Sequence, residues 1–348
     1  MNAKKWVGIW FVITIFSIFI IGAFNYIIDP YGYFSTQNKY SFFLTRINKP
    51  TVLNTKLYTN GQIYIIGTSR QMRVNPNLIA SYTHKEVRNI NISASTFSEN
   101  FMIAKRVKEL NKNFIYGFDA FSLNEYRIKN FEEVKNRYKS YQNELQNNTN
   151  KNLVLLKSMF NSDIFYTALK HLAYKYILHR DLYFNDIKEN TTFYDYNKTR
   201  IINQFNNHDD KSFYKLFHLY NDREIIKLAK LADKNDIFII YPKYFFYYKM
   251  FQEYQNIEKK YFHAIKLLVQ NTKAKVWCFY GINNITINLN NFDKDGWHFK
   301  PKVAKIIYDD VYLQKYHYGI LLTKDNVDNV LDSLHNQVKN YPLDKIVK

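Results

Sequence analysis

Gln62-Ile63-Tyr64-Ile65-Ile66-Gly67-Thr68-Ser69-Arg70 is the stretch whose reading decides the fold. Its first five residues are a nearly continuous apolar run, the pattern of a strand covered on both faces rather than one. Gly67 lets the backbone turn sharply at the run's end. In an open α/β sheet, a residue just beyond a parallel strand sits at the carboxyl edge, where such folds place their sites. Ser69 is therefore a candidate nucleophile, although a serine in a turn is commonplace.

Four more runs of the same kind follow: Val87–Ile92, Asn113–Phe118, Asp236–Tyr241 and Lys275–Tyr280. Helical patterns separate them, at Glu99–Leu110, Arg223–Ala232, Tyr254–Val269 and Pro301–Gln314. This alternation predicts an α/β fold with a five-stranded parallel sheet, flavodoxin-like, and helices on both faces. The third and fourth runs lie more than a hundred residues apart, too far for a structureless loop. Helical patterns at Phe131–Leu145, Asn152–His179, Tyr196–Phe205 and Lys211–Tyr220 make residues 125–222 a helical insertion. The C-terminal Val327, Val330, Leu331 and Leu334 predict a last amphipathic helix, with Thr323 or Asp325 as its cap.

Upstream, Trp6 to Phe24 is apolar with no polar face. Nineteen helical residues at ~1.5 Å each span ~28 Å, close to the hydrocarbon thickness of a bilayer. The run exceeds the usual ~7–15 residues of a cleaved signal and lacks a small-x-small site. Residues 1–28 thus read as a short stub and a transmembrane anchor, residues 29–60 as a connector, and residues 61–348 as the α/β domain. Lys4 and Lys5 before the run put the N-terminus inside and the domain outside, in the periplasm of an inner-membrane, single-pass protein.

The formal charge of +19, from 49 Lys and Arg against 30 Asp and Glu, favours anionic partners such as headgroups or acidic glycans. Nucleic-acid signatures are missing. The 31 Tyr and 28 Phe accompany abundant Lys, Asn and Ile, as AT-rich coding produces. A single cysteine, Cys278, excludes an internal disulfide and a multi-cysteine zinc site. His171 and His179 lie too far apart for one metal, and His208-Asp209-Asp210 reads as a solvated loop. With 9 Gly and no phosphate loop, no cofactor is expected.

Asp295-Gly296-Trp297-His298 falls after the fifth run and before the last sheet-packing helix. Asp-x-x-His in one loop can bring both side chains to the sheet edge, His298 as general base on Ser69 and Asp295 as its orienter. Either piece alone reads as a capped loop or a turn; together they are far more specific. After the fourth run, the aromatic stretch from Tyr241 to Tyr248 places Lys243 and Tyr244 at the same edge. Exposed, they could contact a sugar and its acidic substituent; otherwise the rings simply pack.

Together these residues resemble the SGNH (GDSL-type) hydrolase superfamily. The closer likeness is to a bacterial subgroup with one N-terminal transmembrane helix, found among surface-polysaccharide genes. The likeness is carried by Asp29-Pro30-Tyr31-Gly32, Ile66–Arg70, Asn91-Ile92-Ser93-Ala94-Ser95, Gly117–Ser122 and Asp295–His298. It covers most of the chain and weakens through the insertion. The resemblance implies an O-acyl, most simply O-acetyl, transferase or esterase acting on a cell-envelope glycan. Ser69, His298 and Asp295 would form its triad, and a polytopic membrane-bound O-acyltransferase would be the partner of a transferase. Where the family has an oxyanion-binding Gly, this chain has Ala94-Ser95-Thr96. Where the family has Asn, it has Asp119, an acceptor-only group when ionised. Ser95, Thr96, Asn124, Arg70, Lys243 and Tyr244 are the candidate oxyanion or substrate contacts. The departures leave open a second function, a catalytically weak or inactive domain that binds glycan or scaffolds an assembly complex.

Overall fold

The computed structural model describes residues 3–31, 33–34, 50–59, 61–146, 151–177, 217–254, 256–293 and 295–342. Six strands form one sheet: β1 (Ile63–Ile66), β2 (Val87–Asn89), β3 (Asn113–Gly117), β4 (Ile237–Ile240), β5 (Lys275–Cys278) and β6 (Ile320–Leu322). The order is β2-β1-β3-β4-β5-β6. The first five run parallel, in registers such as Ile65↔Ile115 and Phe238↔Val276. The expectation of five strands, all parallel, needs correcting: β6 pairs antiparallel with β5, Trp277 opposite Leu321. The Asp310 carboxylate makes that return possible. It accepts the backbone N–H groups of Tyr316, His317, Tyr318 and Gly319, which reverses the chain into β6.

Strands β1, β3 and β4 carry few polar side chains because both faces are covered; Tyr64, Ile65, Ile66, Phe114, Tyr116, Phe238, Ile239 and Ile240 are buried. Helices α1 (Ala3–Ile28), α2 (Pro50–Leu57), α3 (Pro76–Thr83) and α4 (Phe97–Glu109) come first. Within residues 125–222, the described helices are α5 (Tyr126–Asn130), α6 (Glu132–Gln146), α7 (Lys151–Met159) and α8 (Ser162–Leu172), followed by a π-helical turn, Ala173–Ile177. The pattern Asn152–His179 is thus two helices. Asn161 divides them, its side chain accepting the N–H groups of Asp163 and Ile164 at the start of α8. The pattern at Tyr196–Phe205, most of that at Lys211–Tyr220, His179 and His208-Asp209-Asp210 lie outside the described residues.

The remaining helices are α9 (Asp222–Leu231), α10 (Phe246–Glu253), α11 (Ile257–Asn271), α12 (Pro301–Leu313) and α13 (Val327–Asn340). Of the connector, α2 packs on the domain through buried Leu53 and Leu57, and Asn54 donates to the Glu144 side chain of α6. Helix α1 is long and apolar enough to cross a membrane. It ends at Asp29, whose carboxylate accepts the N–H groups of Tyr33 and Phe34.

Candidate active site

The loop after β1 is held from beneath. Gln71, fully buried, accepts at Oε1 from the Thr68 N–H (2.6 Å) and the Thr68 hydroxyl (3.1 Å). Its side chain fills the space that Gly67 and Gly117 leave. A Cβ on either would lie 2.4 or 1.9 Å from the Gln71 amide. The two glycines therefore serve close approach, and the loop that carries Ser69 rests on the buried Gln71 side chain.

From that loop the Ser69 Oγ meets His298 Nε2 at 2.7 Å. His298 Nδ1 lies 2.6 Å from Asp295 Oδ2. With Nδ1–H donating to the carboxylate, Nε2 is left to accept the serine proton. The other Asp295 oxygen accepts the backbone N–H groups of Trp297 (2.9 Å) and His298 (3.0 Å). Burial alone would raise the Asp295 carboxyl; the His298 side chain and these N–H donors outweigh it and hold the pKa down to about 2. Gly296, at φ 64°, makes the turn between acid and base. The Tyr247 hydroxyl ties down the Asp295 carbonyl at 2.6 Å, and Arg73 pairs with Asp293.

The loop after β2 closes against this one. The Gly67 carbonyl accepts the Ile92 N–H (3.2 Å) and the Ser95 hydroxyl (3.0 Å). The Ser95 N–H is engaged by the Ile92 carbonyl. Thr96 forms a capping box with Glu99 at the start of α4. Ser95 and Thr96 are thus loop fasteners. Ala94 takes up φ 52°, the conformation a glycine adopts freely, and its carbonyl is gripped by Arg127 and Arg137. Among the described residues, neither the Ser69 nor the Ala94 backbone N–H has a hydrogen-bond partner within the protein. Asn124 pins a different segment: its Oδ1 accepts from the N–H groups of Tyr126 and His218.

Arg70 and Lys243 are buried rather than presented to solvent. They share Asp119, which lies 2.8 Å from the Arg70 guanidinium and 3.3 Å from the Lys243 ammonium. Arg70 also donates to the carbonyls of Tyr241 and Pro242. Burial opposes ionisation of Asp119, but Lys243 and Arg70 hold its pKa well below the usual carboxylate range. For Lys243, burial and then the charge of Arg70 lower the pKa to about 7. The indole of Trp297 lies beside both cations, 5.2 Å from Arg70 and 4.8 Å from Lys243. Tyr244 is buried against Phe245 and Phe292, so it too packs.

Arg70 and Lys243, candidate substrate contacts by sequence, and Asp119, which stands where the family has Asn, instead form one buried cluster. The available signal was charges of opposite sign just past β1, β3 and β4, which are neighbours in the sheet. Two surface cavities among the described residues, of about 460 and 300 Å³, are lined by none of Ser69, Asp295 and His298. No family model matches the chain, and no curated protein matches it.

Proposed function

We propose that the protein is a serine-dependent O-acyltransferase or esterase of the SGNH type that acts on a cell-envelope glycan. The observation that carries this reading is the Ser69–His298–Asp295 relay, with its 2.7 and 2.6 Å contacts. A serine hydroxyl needs an adjacent base to become a nucleophile, and that base needs an orienting group. In the reaction, Ser69 Oγ attacks the ester carbonyl and His298 takes its proton at Nε2. The tetrahedral oxyanion is met by the unpartnered N–H groups of Ser69 and Ala94. Collapse breaks the ester C–O bond, His298 returns the proton to the leaving alkoxide, and acyl-Ser69 remains. Water then completes hydrolysis, or a glycan hydroxyl completes transfer.

Helix α1 anchors the domain in the inner membrane, with Lys4 and Lys5 keeping the N-terminus inside and the domain in the periplasm. A transferase there draws its acyl group from a polytopic membrane-bound O-acyltransferase. Asp119, buried between two cations, supplies no third oxyanion donor; this favours the second reading, a non-catalytic scaffold or glycan-binding domain.

A serine-directed fluorophosphonate separates the two. The enzyme labels at Ser69, and His298→Ala removes most of the label. Asp295→Asn weakens labelling less completely. Ser69→Ala abolishes it at a stability cost within ~0.5 kcal/mol. A folded protein that never labels, and whose Ser69→Ala form still supports the cell's glycan phenotype, is the scaffold.

A further inference from the structure

Helices α7 and α8 carry an apolar stripe on the side turned away from the domain. Their inner side chains are buried or packed on the core: Leu155, Ser158, Ile164 and Ala168. Their outer face presents Leu153, Leu156 and Phe160, then Tyr166 and Leu169, with Tyr176 and Ile177 on the π-helical turn. On α7 the exposed positions recur at three and four residues (Leu153, Leu156, Phe160), and on α8 Tyr166 and Leu169 are three apart, so each helix presents an apolar face. Tyr166 and Ile177 are 68 % and 75 % exposed. So many large apolar side chains on one face mark an interaction surface.

The anchor helix identifies what meets that surface. Helix α1 packs on both α7 and α8. The Asn25 amide donates to the carbonyls of Met159 (2.7 Å) and Asn161 (3.1 Å), at the turn between the two helices. Gly22 is open enough to receive the Phe160 ring, and Phe24 meets Phe165 edge to face with ring centroids 5.1 Å apart. These contacts fall where the apolar run of α1, Trp6 to Phe24, comes to an end. A helix pair fixed at that height lies at the bilayer surface, not above it. Lys157 and Lys170 are exposed on the same two helices, as is the acidic Asp163.

We infer that α7 and α8 form an in-plane membrane foot, their outer stripe sunk among the lipid headgroups and upper acyl chains beside the anchor. Amphipathic helices of this kind bury their apolar face ~5–10 Å into the interface, and basic residues add attraction to anionic lipid. The domain is then held by two attachments, and its orientation to the membrane is fixed. This inference rests on α1 being a retained membrane span and is independent of the relay chemistry.

The full chain, reconstituted in nanodiscs of mixed phosphatidylcholine and phosphatidylglycerol, tests it. An environment-sensitive fluorophore is attached singly through Leu156→Cys, Tyr166→Cys or Leu169→Cys. Native Cys278 is buried, and burial raises its thiol pKa to about 12, so it stays unlabelled. Phe16→Cys reports on the span and Ser333→Cys, exposed on α13, on solvent. Lipids brominated near the carbonyl end of the chains should quench the three foot probes and leave Ser333→Cys bright. If Phe16→Cys is not quenched by deep bromines, α1 does not span, and the foot is lost with it. If Phe16→Cys is quenched while the foot probes match Ser333→Cys, the span stands and the foot is wrong. Foot probes shielded from aqueous iodide yet untouched by bromolipid mean that a protein covers the stripe, which also overturns the inference.

Discussion

Arg70 and Trp297 meet at the carboxyl edge of the sheet, the guanidinium carbon 5.2 Å from the indole centroid. One follows Ser69 in the chain and the other precedes His298. The contact therefore bridges the loop of the nucleophile and the loop of the base. Arg70 is in turn fixed by Asp119, and Asp119 by Lys243. The Ser69–His298 distance is thus backed by a buried ionic cluster behind it.

Removing the anion from that cluster strands two buried cations. Asp119→Asn should destabilise the domain by about 3–5 kcal/mol, as breaking a buried ion pair from one side does. Lys243→Met added to Asp119→Asn should recover part of the loss, because it withdraws one stranded charge. Chemical denaturation of the three proteins measures both effects; a stable Asp119→Asn domain would show the cluster to be idle.

Lys243 gives stability a particular pH dependence. Its folded pKa, about 7, lies below the unfolded value of roughly 10.4. Between the two, the unfolded chain holds the extra proton, so stability rises with pH across that window, by at most about 1.4 kcal/mol per unit. Lys243→Met should remove this contribution. From neutral to alkaline pH, the denaturation midpoint of wild type should gain on that of the variant; a constant difference would show that Lys243 does not contribute.

Asp295 acts on the acid side with the opposite sense. Its folded pKa, about 2, is below the ordinary ~3.9 of an unfolded aspartate. The stabilisation is fully present above ~4 and is lost as pH falls toward ~2. The side chain is one-third exposed, which limits the contribution to roughly 1 kcal/mol. Acid titration of the Asp295→Asn protein should show a flatter loss over this range than wild type.

Gly117→Ala should be more damaging than its size implies. The new methyl would overlap the buried Gln71 amide and force it off the Thr68 N–H. Overpacking of this kind costs about 1–3 kcal/mol. Since Gln71 holds the Thr68 N–H, fluorophosphonate labelling of Ser69 should fall as well. Labelling at the wild-type rate would show that the Ser69 loop is held by other contacts.

Ala94→Gly should do the reverse. A left-handed conformation costs an L-residue about 1–2 kcal/mol that glycine does not incur. The variant should melt at higher temperature and label at an unchanged rate, because the backbone N–H is retained.

The parallel core is legible because β1, β3, β4 and β5 are doubly covered and nearly uninterrupted in Ile, Val, Phe, Tyr and Trp; β2, Val87-Arg88-Asn89, is legible only through the apolar residues around it. Strand β6 is not. Its three residues, Ile320, Leu321 and Leu322, are too few to show alternation, and its direction depends on the distant Asp310 carboxylate. The division of the Asn152–His179 pattern at Asn161 was also missed, since the apolar periodicity runs nearly unbroken through that capping residue. Ser69, Asp295 and His298 stood out because each follows a strand-like run in a short, recognisable string. The Arg70–Asp119–Lys243 cluster did not, because burial of charge is a property of three strands side by side and not of any one segment. For the same reason the sequence leaves open whether Lys243 and Tyr244 face solvent or pack; both are buried.

Ser69 and His298 are separated by 229 positions in the chain. During synthesis Ser69 emerges early, and its contact with His298 can form only once the ribosome has passed His298 and β5 has taken its place beside β4. Contacts of such separation form late and slowly. A chain that stops before that point carries Ser69 without His298, and the 2.7 Å contact between them cannot form.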